Sequence, residues 1–181
     1  MEILEERVIC ESPATVTKER LYLDLRGRKR SWSYIERRGA AQAVVIVART
    51  RRAGSLLLLR QFRVPFGARL VELPAGLVDP GESPEEAARR ELAEETGYSG
   101  EIVRIGPAVS SSAGITTETF RMVDMIVEEE PVAAPVRGGS EDIEVLLVPP
   151  DRALQTLQSF VRDEVLMDCK AYLALRGLAG A

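Results

Sequence analysis

The chain contains no histidine. That absence removes every Ser-His and Cys-His nucleophile scheme and every His-ligated zinc site. Any chemistry falls to carboxylates, lysine, arginine, hydroxyls or a hard metal ion. Cysteine is scarce: Cys10 and Cys169 stand near opposite ends without CxxC spacing, which predicts reduced thiols in a cytoplasmic protein. Long apolar runs are missing as well. Those at residues 43–48 and 56–59 fall far short of the ~20 residues that span a bilayer, so no membrane partner is expected. The first residues are acidic (Glu2, Glu5, Glu6) with no apolar signal core, so export is not expected. A pI near 5.2 and aromatics at only 5%, with no helix-turn-helix, zinc-finger or aromatic RNA-binding signature, argue against nucleic acid as a partner.

What remains is a chain of 181 residues, 45% hydrophobic and 29% charged, enough for one globular domain with a small appended subdomain. The net charge of −4 hides a division. Residues 18–69 hold fourteen basic against three acidic side chains, whereas residues 76–98 hold seven acids and two arginines. A basic segment followed directly by an acidic one suits a site for a metal ion and an anionic ligand, although most of these charges also suit solvated faces.

Hydrophobic periodicity predicts short strands with turns over residues 1–38, including strands at 15–25 and 31–36 around a hairpin tip at Arg26-Gly27-Arg28. Buried strands are expected at 41–48 and 55–60, a short one at 70–73, and others near 102–109, 119–127 and 143–148. A Pro/Gly-rich loop fills 130–140, and two helical stretches follow near 151–160 and 163–176. The order of strands, helix, strands and helices reads as α/β (α+β) with a mixed sheet.

The best-punctuated element is a helix after Ser83. Ser83 suits the N-cap, Pro84 the first turn, Glu86 completes an S-x-x-E capping box, and Gly97 suits a left-handed stop. At 100° per residue, Glu91, Glu94 and Glu95 fall on one face of it. Like charges at i,i+4 repel, so the face makes sense under a divalent cation such as Mg²⁺ or Mn²⁺. Taken alone, a solvated acidic helix explains it equally well. Arg90, four residues before Glu94, can orient that side chain by a salt bridge.

The wider spacing narrows the choice. Gly76, Glu82 and Arg90-Glu91-Leu92-Ala93-Glu94-Glu95-Thr96-Gly97-Tyr98 fit the Nudix box GX5EX7REUXEEXGU at every specified position, so the chain resembles the Nudix hydrolases. The resemblance implies an α/β/α sandwich with a mixed sheet over residues 39–181, preceded by a small antiparallel β subdomain over 1–38 for dimerisation and base recognition. It also implies Mg²⁺-dependent hydrolysis, with Mn²⁺ able to substitute, of a nucleoside diphosphate linked to another group. Carried over, Glu91, Glu94, Glu95 and the backbone carbonyl of Ala75 are metal ligands, with Glu82 and Arg90 supporting them.

The flanks resemble the ADP-ribose and ADP-sugar diphosphatase branch. Gln61-Phe62-Arg63 precedes the box, Glu72-Leu73-Pro74-Ala75-Gly76 leads into it, and residues 30–37 resemble an R-x-W-x-x-x-x-R strand. This assigns Arg63 and Arg37 to phosphate or ribose contact, and Trp32, flanked by Ser31 and Ser33, to base stacking rather than the core. Ser112-Ala113-Gly114 stands where the branch often carries Ser-Pro-Gly, which leaves GDP-mannose or a broader sugar range open. The loop Gly138-Gly139-Ser140-Glu141 resembles the branch's loop whose glutamate lies next to the attacking water; this makes Glu141 the first candidate for general base, with Asp142 and Glu144 close positional rivals, and Glu91 the second candidate. The expected products are AMP, or another nucleoside monophosphate, and a sugar phosphate, made by a homodimer. A non-catalytic nucleotide-sensing domain is disfavoured because every box carboxylate is kept. An enzyme for oxidised nucleoside triphosphates is disfavoured by the extra N-terminal strands.

Overall fold

The computed structural model describes residues 1–39, 42–136, 138 and 142–180. Strands β1 (Glu2–Glu11), β2 (Thr15–Leu23) and β3 (Lys29–Arg37) form an antiparallel sheet of their own, in that order. The turn between β2 and β3 is tied by Asp24, whose carboxylate accepts from the N–H groups of Arg26 and Arg28 at 2.8 and 3.0 Å. Gly27 takes φ +71° at its tip, a conformation that glycine adopts without steric cost.

Strands β4 (Gln42–Thr50), β5 (Leu56–Arg63), β6 (Ala68–Glu72), β7 (Ala75–Leu77), β8 (Gly100–Ser110), β9 (Thr119–Val127), β10 (Ile143–Val148) and β11 (Leu166–Met167) build a mixed sheet. Helices α1 (Pro84–Thr96), α2 (Ala153–Arg162) and α3 (Cys169–Ala179) cover it. The continuous apolar run in the sequence becomes β4, at the centre. Val45 and Val47 point to one side, into a core completed by Leu157, Phe160, Leu175 and Leu178 of α2 and α3. Val44, Ile46 and Ala48 point to the other, against Ala87, Ala88 and Leu92 of α1. A strand covered on both faces has no solvent side, which is why it reads as unbroken hydrophobicity rather than alternation. The layers are helix, mixed sheet, helix, as expected.

Strand β4 pairs in parallel with β9, from Gln42↔Thr119 to Thr50↔Val127. It leaves β5 after a single pairing, Arg49↔Leu56, and takes β7 instead, with Val45 opposite Ala75. Strand β5 is flanked by β6 and β10. This divergence brings the segment ahead of α1 onto the central strand and so fixes the helix relative to the sheet.

Helix α1 has the boundaries its punctuation predicts. Ser83 Oγ accepts from Glu86 N–H at 3.2 Å, the Glu86 carboxylate accepts from Ser83 N–H at 2.8 Å, and Gly97 closes the end at φ +76°. Leu92 is fully buried, a contact worth ~1.5–3 kcal/mol, and it clamps one face of the helix while the glutamates keep the other.

The C-terminal expectation needs correction. The helix predicted over 163–176 begins only at Cys169. Glu164 adopts φ +52°, which no helix can contain, and Leu166 and Met167 pair in parallel with Leu70 and Val71 at the edge of β6. Asp168 then caps α3 by accepting from Lys170 N–H at 2.8 Å. An open strand edge outcompeted local helical periodicity. Likewise α2 begins at Ala153, after a 3₁₀ turn at Pro150–Arg152. No helix among the described residues is long and apolar enough to cross a membrane.

The N-terminal sheet meets the main sheet through the loop before β9. Ile35 N–H donates to Ile115 O at 2.8 Å, Thr117 N–H donates to Ile35 O at 3.3 Å, and Ile35 and Thr116 form a parallel bridge.

Candidate active site

The carboxylate face of α1 is organised by one arginine. Arg90 donates to both oxygens of Glu82, each at 2.9 Å, and to the carbonyl of Leu77 at 2.9 Å. Its other amino group donates to Glu91 at 2.7 Å and to Glu94 at 3.3 Å. The guanidinium is held further above its ordinary basicity, chiefly by Glu82, and Glu82 is held below the usual carboxylate range by Arg90. Glu82 also accepts from Asp79 N–H at 3.1 Å. The fork thus ties the loop before α1 to the helix, and the i,i+4 salt bridge expected between Arg90 and Glu94 is present.

Glu91 lies inward of its neighbours, and burial raises its pKa, with the bond from Arg90 opposing. The reason for Gly76 lies here. A Cβ on that residue would stand 1.9 Å from the Glu91 Cδ and Oε1, far inside contact, so β7 makes room for this carboxylate by having no side chain. Glu95 accepts from Ala75 N–H at 3.0 Å, which fixes the backbone of β7 beside the same face. Glu94 is more exposed than Glu91, 46% against 15% of its side chain.

Among the described residues no three Asp, Glu or Cys side chains converge tightly enough to form a metal cluster, with Arg90 bridging Glu91 and Glu94. The donor set nevertheless fits a hard divalent cation. It is all oxygen, it comes from adjacent turns of one helix, and a half-buried carboxylate has a cradle cleared for it at Gly76.

A cavity of about 480 Å³ opens beside Ala75, lined by Ala75, Arg63 and Glu72 on one side and by Glu118, Phe120 and the Asp168-Cys169-Lys170 segment elsewhere. Arg63 is paired and half-exposed: it donates to both oxygens of Glu72 at 2.8 and 2.5 Å, which raises its basicity further. Arg37, on β3, donates to Glu118 at 2.8 Å. Both arginines assigned from the sequence are therefore held by carboxylates that carried no assigned role. Glu72 had a visible signal, since it lies in the quoted run ahead of the box. Glu118 had none.

Trp32 stands outside the core, 54% exposed, with its indole N–H donated to Gly114 O at 2.9 Å. It lines a second cavity of about 380 Å³ together with Tyr22, Tyr34, Arg20 and Thr117. Arg20 lies 4.9 Å from the Tyr34 ring centroid, within cation–π range. Loop 111–118 lends Ser111 and Glu118 to the first cavity and Ala113, Thr116 and Thr117 to the second; Trp32 lines the second from the N-terminal sheet, and Arg37 meets the first through its bond to Glu118. Glu141 lies outside the described residues.

Residues 39–169 match the family profile of the NUDIX domain. The chain is 32% identical over 182 residues to a protein of Mus musculus named ADP-sugar pyrophosphatase, covering 94% of this chain and 84% of that one. It is 31% identical over 150 residues to a GDP-mannose pyrophosphatase of Enterobacter sp. (strain 638), covering 78% and 76%. It spans about half the length of some other curated relatives. A solved structure titled as an ADP compounds hydrolase shares the fold, with a TM-score of 0.66 at 22% identity, covering 86% of this chain and 82% of that one.

Proposed function

The chain belongs to the Nudix hydrolases, and from that premise we propose that it cleaves the diphosphate of ADP-ribose or a related nucleoside diphosphate sugar with Mg²⁺ as cofactor. The products are AMP, or the corresponding nucleoside monophosphate, and a sugar phosphate. The observation that carries this reading is Ala75, which lines one cavity with Arg63 and whose N–H is bonded to Glu95 of the carboxylate face, a glutamate near enough to Arg63 to act on its charge.

Glu91, Glu94, Glu95 and the Ala75 carbonyl would hold the cation, with Mn²⁺ an acceptable substitute. When bound it neutralises the diphosphate and acidifies water. Arg90, fixed by Glu82 and Leu77, keeps Glu91 and Glu94 in register. Arg63 and Arg37 orient the phosphates through charge-assisted bonds. Trp32 stacks on the base, aided by an indole already locked to Gly114. Glu141 takes the proton from the attacking water, with Glu91 the second candidate. The new P–O bond forms as the bridging oxygen leaves on the other phosphate.

Residues 1–38 form a subdomain for base recognition and dimerisation, residues 39–181 form the catalytic domain, and the enzyme works as a cytoplasmic homodimer. GDP-mannose is the second reading, favoured by Ser112-Ala113-Gly114 beside the Trp32 cavity.

One panel tests both. Phosphatase-coupled release of phosphate is measured from ADP-ribose, GDP-mannose, UDP-glucose and 8-oxo-dGTP with Mg²⁺. Preference for ADP-ribose supports the first reading and preference for GDP-mannose the second. Activity on 8-oxo-dGTP alone, or on none, overturns both.

A further inference from the structure

The far wall of the larger cavity comes from a part of the chain that has no place in the box or its flanks. Lys170, in the first turn of α3, has its ammonium 2.7 Å from Asp168 Oδ2 and 5.3 Å from the Phe120 ring centroid. Asp168 uses its other oxygen to cap α3 through Lys170 N–H. One carboxylate therefore fixes both the helix start and the lysine, and the ammonium is held in place before any ligand arrives. An ammonium carries three donors, of which this bond occupies one.

The surroundings are mixed in a particular way. Phe66, Leu70 and Phe120 supply apolar walls, and the Lys170–Asp168 pair offers a fixed donor beside a fixed acceptor. A phosphate needs donors alone. A sugar ring has apolar C–H faces and hydroxyls that both donate and accept, so it matches an apolar wall with an ion pair on it. From this arrangement we infer that the cavity beyond Arg63 is the sugar subsite and that Lys170 and Asp168 are specificity-determining residues for the sugar of the nucleoside diphosphate sugar. The inference rests on the proposed hydrolase activity and adds which residues read the non-nucleotide end.

The test separates sugar from phosphate recognition. In Lys170→Met, KM for ADP-ribose should rise roughly 10- to 100-fold, the loss of a charged hydrogen bond, with kcat within threefold. Inhibition by ADP, which has the diphosphate but no terminal sugar, should stay within twofold of the parent. Asp168→Asn keeps an N-capping side chain, so it folds, and it should shift the ADP-ribose to ADP-glucose preference at least fivefold. A binding readout runs alongside. Cys169 lines the cavity and is exposed, and Cys10 on β1 is an exposed internal control. ADP-ribose, but not ADP, should slow iodoacetamide labelling of Cys169 in the parent, and Lys170→Met should lose that protection. An unchanged KM in Lys170→Met, or an equal loss of ADP inhibition, overturns the subsite. A parent that hydrolyses no nucleoside diphosphate sugar overturns the function instead. Protection of Cys169 from iodoacetamide by ADP-ribose then still reports on the cavity, and its absence overturns the subsite too.

Discussion

Substituting Gly76 by alanine tests the catalytic reading at its tightest point. The added Cβ would lie 1.9 Å from Glu91 Cδ and Oε1 and 2.4 Å from Oε2, against an ordinary contact of 3.4 Å or more. The carboxylate has to retreat by about 1.5 Å, the difference between 3.4 and 1.9. Gly76 sits in β7 outside the left-handed region, so the backbone itself accepts alanine. The neighbour that must yield is the end of a flexible side chain. An off-rotamer glutamate costs ~0.5–1.5 kcal/mol, so Tm should fall only ~1–6 °C in a chain of this size. A misplacement of ~1 Å in catalytic machinery costs ~10²-fold in rate. Turnover of ADP-ribose with saturating Mg²⁺ should therefore drop at least ~100-fold in a protein that still melts cooperatively. The same substitution added to Glu91→Gln should lower activity by less than threefold more, because one carboxylate carries both effects. Activity in Gly76→Ala within threefold of the parent would refute the assignment of Glu91 to the metal and with it the explanation for the glycine.

Trp32→Ala should raise KM by ~5- to 150-fold, the worth of ~1–3 kcal/mol of stacking, with little change in kcat. Because Trp32 is half exposed, its melting temperature should hold, and a large drop in Tm with unchanged KM would return it to a structural role. Glu141→Gln should cut kcat by ~10²–10⁴-fold while Mn²⁺ titration stays unaltered, and parental single-turnover rates would move the base to Glu91. The Tyr34 hydroxyl, 2.5 Å away, then Arg20 and Lys18, pull the Glu6 carboxyl from 4.5 down to about 2. A depressed carboxylate stabilises the fold above its unfolded pKa and loses that effect as pH falls through the folded one. The stability difference between parent and Glu6→Gln should be constant above pH 5, shrink below 4.5 and vanish near 2. A difference that is the same at pH 7 and pH 2.5 would contradict the network.

Much of the molecule was legible in the sequence where its signals are local. The caps of α1, the glutamate face and the apolar run of β4 need only neighbours a few residues away, and each stands where the pattern put it. What escaped is tertiary. Strand β11 exists because β6 has an open edge, which residues 163–168 cannot announce. The partners of Arg63 and Arg37 are nine and eighty-one positions away, so the arginines could be recognised from their motifs but their pairing could not. The box glycine was visible as a spacing, and its cause emerged only when Glu91 was found against it.

The carboxylates that hold Arg63 and Arg37 have a consequence for turnover. If Arg63 and Arg37 take the two linked phosphates as proposed, the second contact would form at the high local concentration that tethering provides. Cleavage cuts that tether. Each product keeps one phosphate and must hold its arginine alone, while Glu72 and Glu118 remain in place at bonding distance. These two glutamates are built-in rivals of the departing phosphates. On that reading they would reclaim the cations once the link is broken, and products and simple phosphate ions would meet the same competition.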